Sequence, residues 1–142
     1  MELKTLMKEA KDFVFKLYEE NTDPEYDMFP FCLGSIGDAV DMIALAGDQN
    51  PMDMAKSVVA FKKFEGFVFV SPGWKKSPED PSVRVGELIM IVGETVLERQ
   101  MISLDVVRDP LPVVTEPEAL KDPELIEMRV GHFLYNIQPT RH

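Results

Sequence analysis

The chain's single tryptophan lies in a short segment that also carries three cationic residues and three carboxylates. The segment WKKSPEDPSVRVGE holds Trp74, Lys75, Lys76, Arg84 and Glu87. A tryptophan ring stacks on flat or cationic groups, and both tryptophan and arginine are enriched at the centres of protein interfaces. These five residues are therefore our candidates for a ligand or interface site. We favour a core or interface role for Trp74 over a place in a ligand pocket.

Carboxylates on the later strands raise a second chemistry. Glu87, Glu94, Asp105 and Asp109 lie on or near two apolar segments that we expect to be neighbouring strands. Paired carboxylates bind Mg²⁺ and support phosphoryl-transfer or hydrolytic chemistry. The alternative to an interaction protein is therefore a small Mg²⁺-dependent hydrolase or a ligand-binding domain.

Other chemistries have weak sequence support. The chain has one cysteine and two histidines, and they do not form a zinc-binding pattern. Cys32 lies between Phe31 and Leu33, which predicts a buried, inert thiol, and its spacing does not favour a catalytic pair with His132. The glycines of LGSIGD (33–38) lack the lysine of a phosphate-binding loop and are better explained by a hairpin turn. We therefore expect no metal site and no cofactor, with Mg²⁺ required only under the alternative.

Composition restricts the class of protein. The 142 residues are 45% hydrophobic and carry a formal net charge of −10, which fits one soluble domain over 1–142. The acidic balance disfavours nucleic acid and anionic lipid as partners. The amino-terminal segment has charges throughout, unlike a signal peptide, and there is no long apolar run. We expect a cytoplasmic protein.

Two helices are predicted with good support and a third with less. Residues 2–20 place their apolar side chains on one helical face, apart from Phe15. Asn50 and Pro51 start a second helix over 51–63, whose inward residues we expect to be Met54, Val58, Val59 and Phe61. Asp122-Pro123-Glu124 starts the third, although Ile126, Met128 and Val130 also alternate as the residues of a strand would.

The remaining apolar segments predict about five strands. Segment 28–34 predicts a strand confined to an edge by Pro30, and 39–47 pairs with it in a hairpin. Segment 65–71 is apolar on both faces, which is typical of a central strand, and Pro72-Gly73 is expected to end it. Residues 84–108 predict an antiparallel hairpin, joined to the central strand by a stiff loop over 75–83. The fold class is therefore α+β, with a mainly antiparallel sheet and two or three helices.

The stretch 64–108 resembles a group of uncharacterised small prokaryotic and phage-encoded proteins. The matching segments are FVFVSPGW, PEDPSVRVGELIMIVGET and MISLDVVRD. In that group, a strand that ends near a tryptophan leads through a proline-containing loop to a strand with arginine and glutamate. The group often has an acidic residue before the tryptophan, where this chain has Ser71-Pro72. The resemblance implies this order of elements and no particular activity.

The function that follows is an accessory or interaction protein. The chain lacks a recognisable catalytic pattern, and it carries more apolar strand surface than three helices would cover. Uncovered apolar area is usually buried in an interface, most often that of a two-fold homodimer. We therefore expect self-association, with any further partner protein unspecified.

Overall fold

The computed structural model describes residues 2–45, 47, 49–108 and 110–116. They form an α+β fold with two helices and a six-stranded sheet. The elements in chain order are α1 (Leu3–Glu20), β1 (Phe31–Ile36), β2 (Ala39–Ala44), α2 (Pro51–Lys62), β3 (Gly66–Lys76), β4 (Arg84–Thr95), β5 (Arg99–Arg108) and β6 (Pro112–Thr115). Every neighbouring pair of strands is antiparallel, in the order β2-β1-β3-β4-β5-β6. The prediction of an α+β, mainly antiparallel fold is confirmed.

The central strands are apolar on both faces because helices cover both sides. Val68 and Val70 of β3 belong to the core beneath α1, whereas Phe67 and Phe69 belong to the core beneath α2. We call these two faces the α1 side and the α2 side. Strand β3 is the third of the six strands, so the central position predicted for 65–71 is confirmed.

Helix α1 lies along the sheet with the apolar face that the sequence predicts. Leu3, Leu6, Met7, Ala10 and Val14 are buried. Its first turns lie over Gly66 and Gly93, since a Cβ built on Gly93 would be 2.3 Å from Met7 Sδ and one on Gly66 would be 3.6 Å from Leu6 Cδ2. Its last turn places Tyr18 beside Trp74 and Glu87. The helix therefore runs from the Gly66 end of the sheet to the Trp74 end.

Helix α2 begins as predicted but orients one residue differently. The Asn50 side chain accepts hydrogen bonds from the backbone N–H groups of Met52 (2.8 Å) and Asp53 (3.4 Å), which caps the helix. Ala55 and Val59 face the sheet, whereas Phe61 is 83% exposed, so its predicted inward orientation is wrong. Two residues along a helix correspond to about 200° of rotation, which turns Phe61 away from the face that Val59 buries.

The predicted edge position of the first strand is also wrong. Strand β1 lies between β2 and β3, and β2 is the edge strand. Pro30 precedes the strand, and its carbonyl accepts a hydrogen bond of 2.8 Å from the Leu45 N–H. A proline in that place removes no donor from the strand ladder, so it does not confine β1 to an edge.

The central strand continues through the predicted turn at Pro72-Gly73. Strand β3 includes Trp74 and ends at Lys76, so the connecting loop covers 77–83 rather than 75–83. Within the described ranges, β1 pairs with β3 only as far as Val70. From Ser71 onward that flank of β3 is an edge, where proline is tolerated in a strand.

The sheet has one strand more than predicted. Strand β6 has four residues and pairs with β5, from Arg108 opposite Pro112 to Asp105 opposite Thr115. Strands β4 and β5 form the antiparallel hairpin predicted for 84–108. The helix predicted after Asp122 and the residues His132 and Asp109 lie outside the described residues.

The close approach of α1 to Gly93 gives a stability prediction. An alanine methyl at Gly93 would meet Met7 Sδ at 2.3 Å and Leu3 Cδ1 at 2.9 Å, so Gly93→Ala must displace the side chains of Met7 and Leu3 beneath α1. We expect a loss of about 1–3 kcal/mol in the free energy of unfolding, measured by urea denaturation. Gly86→Ala is the matched control, because the nearest atom to its Cβ is Lys75 Cδ at 3.8 Å. Equal effects of the two changes would contradict this packing.

Candidate interaction site

Trp74 lies on the α1 side of the long β3–β4 hairpin, near its tip. It is opposite Glu87 in the register of the two strands, and it is 37% exposed. The guanidinium carbon of Arg84 lies 5.1 Å from the centre of the indole ring. This is a cation–π contact, which holds the exposed aromatic ring in a defined orientation.

Four of the five candidate residues line one open depression. The depression has a volume of about 510 Å³ and is bounded by the β3–β4 hairpin tip and the end of β5. Trp74, Lys75, Arg84 and Glu87 all contribute to its lining. Lys76 does not line it and instead lies opposite Arg84, where the β3–β4 register shifts.

Arg108 is the residue that orders the acidic side of this site, and the sequence reasoning missed it. Its Nε donates to Glu87 Oε2 at 2.7 Å, and one terminal nitrogen donates to Glu87 Oε1 at 3.2 Å. The guanidinium also donates to the Pro24 carbonyl and to the Asp27 carboxylate. The hydrogen bond to Glu87 raises the pKa of Arg108 further above its ordinary value. Arg108 therefore fastens the segment after α1 to the sheet.

Lys75 makes an ion pair on the opposite side of the sheet. Its ammonium group contacts Asp105, and Gly86 lies opposite Lys75 in the register. The lysine stem passes 3.8 Å from the position that a Gly86 Cβ would occupy. The glycine leaves room for the lysine to reach across β4, which gives this exposed strand end a fixed charge pair.

Apolar side chains share the depression with these charges. Val85 is 58% exposed and Val107 is 53% exposed, and both line it together with Trp74. Neither valine was singled out from the sequence. Val85 is exposed because β3 and β4 extend beyond β1 at this end of the sheet, which the local sequence pattern does not show.

The carboxylates considered for Mg²⁺ chemistry are separated by the fold. Glu87 faces the α1 side and is bound by Arg108, whereas Asp105 faces the α2 side and pairs with Lys75. Glu94 is buried near the Gly66 end, with an oxygen 3.8 Å from Arg99 Nε. Among the residues that the structure describes, no three or more His, Cys, Asp or Glu side chains are placed to hold a metal ion.

A smaller cleft lies beside the depression, under Trp74. It has a volume of about 200 Å³ and is lined by Tyr18, Asp27, Trp74 and Glu87 over a floor of Leu88, Ile89 and Val106. The Tyr18 hydroxyl accepts a hydrogen bond of 3.4 Å from the Met28 N–H, and burial raises the pKa of this tyrosine. The cleft connects Trp74 to the α1 core.

Comparison with protein-family models, curated proteins and solved structures finds no match for this chain. The resemblance of residues 64–108 to small prokaryotic and phage-encoded proteins therefore stays a prediction. No helix in the described part of the chain combines the length and apolar character needed to cross a membrane.

The contacts of Arg108 with Glu87 and with the segment after α1 give a stability prediction. Arg108→Gln removes both bonds to Glu87, and those side chains are 23% and 25% exposed. We expect a loss of about 1–2 kcal/mol in the free energy of unfolding, at the lower end for charged hydrogen bonds because water screens the pair. Lys8→Gln is the control, since it breaks an exposed pair with Asp12 and should leave stability nearly unchanged. Equal losses of stability in the two variants would show that the contacts of Arg108 contribute no more than an exposed ion pair.

Cys32 gives a prediction for thiol reactivity. The residue is fully buried between β2 and β3, and burial raises its pKa to about 12. An exposed thiol has a pKa of about 8.5, so at pH 8 the folded protein should react with iodoacetamide on the order of 1,000-fold more slowly than the unfolded chain. Mass spectrometry with and without denaturant measures the ratio. Similar rates in both conditions would show that Cys32 is accessible.

Proposed function

We propose that this chain is a non-catalytic interaction protein that forms a homodimer through the surface around Trp74. The surface consists of Trp74, Arg84 and Val85. The observation that carries the proposal is the Trp74–Arg84 stack, exposed beside the half-exposed Val85 in one depression.

The composition of this surface supports an interface. Tryptophan and arginine dominate the binding energy of many interfaces, and they act best where surrounding contacts exclude water. Val85 provides apolar area beside the stack. The charged residues of the depression are largely paired within the chain, Glu87 with Arg108 and Asp105 with Lys75. A partner could therefore cover them without leaving these charges unpaired.

Among the described residues, the β1-side flank of β3 has no strand partner from Ser71 onward, and the residues there support association through side chains rather than through strand addition. That flank carries Pro72, which has no N–H to donate, followed by Lys75 and Lys76. Proline and lysine are residues with which proteins protect exposed strand edges. The contact we propose is therefore made by the indole and valine side chains.

We further propose a cytoplasmic location. The chain has one cysteine, and the buried Cys32 has no second cysteine with which to form an internal disulfide. Proteins of reducing compartments commonly keep their cysteines as free thiols.

Sedimentation of the whole chain at micromolar concentration tests the dimer. We expect concentration-dependent self-association whose first step, from monomer to dimer, persists at about 1 M salt, because apolar burial is not screened. Trp74→Ser should weaken the dimer at least tenfold, a loss of about 1.4 kcal/mol or more. Leu97→Ser is the matched control, because Leu97 is also an exposed apolar residue but lies in the β4–β5 turn at the Gly66 end. A monomer at all concentrations, or equal weakening by both changes, would refute the proposal.

A further inference from the structure

Phe61 is the centre of a protruding surface at the Gly66 end. It lies in the last turn of α2, followed by Lys62 and Lys63, and all three residues are exposed. Lys63 has a left-handed backbone (φ 56°) and closes the helix with a hydrogen bond from its N–H to the Val59 carbonyl. This cap fixes where the helix ends. A rigid helix end therefore presents one large apolar ring beside two cations.

An apolar groove with acidic residues beside it lies at the Trp74 end. It has a volume of about 250 Å³ between the end of α1 and β6, and Phe15, Leu111, Pro112, Val113 and Val114 form its apolar walls. Cavities of about 150 Å³ are large enough to bind benzene, so this groove has room for a phenyl ring. Glu19 lines its rim, and Glu20 is exposed beside it.

The two features cannot meet within one molecule. Helix α1 has 18 residues, so it is ~27 Å long, and it separates the Gly66 end from the Trp74 end. Phe61 belongs to the first end and the groove to the second. The occupant that matches the groove in shape and charge is therefore the Phe61 end of a second copy.

We propose that Phe61 of one copy inserts into the α1–β6 groove of another copy, with Lys62 and Lys63 facing Glu19 and Glu20. Copies of a chain with a net charge of −10 repel one another, so a local match of opposite charges selects which surfaces meet. The contact joins two different surfaces and is head-to-tail, which generates a ring if the rotation closes and a filament if it does not.

This contact is separate from the Trp74 dimer and uses none of its residues. It extends the proposed self-association from pairs to larger assemblies. The Trp74 contact and the Phe61 contact are tested with different variants. If one contact proves absent, the other can still be measured.

The test uses two complementary variants in a Trp74→Ser background, which weakens the dimer contact. Phe61→Ser keeps the groove and loses the inserting ring. Glu19→Lys with Glu20→Lys keeps Phe61 but places like charges around the groove. Lysines in the last turn of α1 interact favourably with the negative end of the helix dipole. The Glu19→Lys/Glu20→Lys variant should therefore fold. Circular dichroism checks both.

Sedimentation and native mass spectrometry between about 1 µM and 1 mM then decide the matter. Each variant alone should remain a monomer, and an equal mixture should form a 1:1 complex of twice the monomer mass, because one productive contact remains. A mixture that stays monomeric would overturn the proposal, as would larger assemblies formed by either variant alone. If Trp74→Ser lowers stability, the Phe61→Ser and Glu19→Lys/Glu20→Lys variants are compared with native Trp74 instead. Each variant alone should then form no assembly larger than the Trp74 dimer, whereas the mixture should. A mixture with no larger species than the separate variants would overturn the proposal.

Discussion

The excess length of β3 and β4 over β1 is the constraint on which the candidate site depends. Strand β3 has 11 residues and β4 has 12, whereas β1 has six and pairs with β3 only as far as Val70. The hairpin therefore extends past its neighbour on one flank, with Trp74 near its tip. Side chains that would be core residues in the middle of a sheet become surface residues there. Because β1 does not reach Pro72, the missing N–H of this proline removes no hydrogen bond to β1.

Charge pairs within the chain convert this extension into an ordered surface. Arg108 binds Glu87 and the segment after α1, and Lys75 crosses Gly86 to reach Asp105 on the other face. Exposed ion pairs contribute little stability, but several around one guanidinium restrict a side chain and the loop it binds. The result is a surface whose apolar groups are exposed while most of its charges already have partners. Such a surface suits a protein contact better than proton-transfer chemistry.

The two ends of the molecule differ because α1 and α2 end at opposite ends of the sheet. The end of α1 brings carboxylates beside an apolar groove, and the end of α2 brings lysines beside an exposed phenylalanine. A monomer with such unlike ends is suited to head-to-tail contact. A two-fold contact through Trp74 is compatible with it, since the two use different residues.

The sequence by itself determined the α+β class, the limits of α1 and α2 to within two residues, and the central position of β3. These depend on local periodicity, on the Asn50 cap and on apolar residues at every position of a strand, all of which are read directly from neighbouring residues. Tertiary structure decided the rest. Whether Pro30 restricts a strand depends on where that strand begins, and whether Pro72 does so depends on which flank has a partner. The roles of Arg108 and Val85 depend on residues distant in the chain. The candidates Trp74, Lys75, Arg84 and Glu87 were found from their types, but Lys76 was separated from them by a register shift. Pairing partners and strand ends are set by contacts between segments, and a pattern within one segment does not encode them.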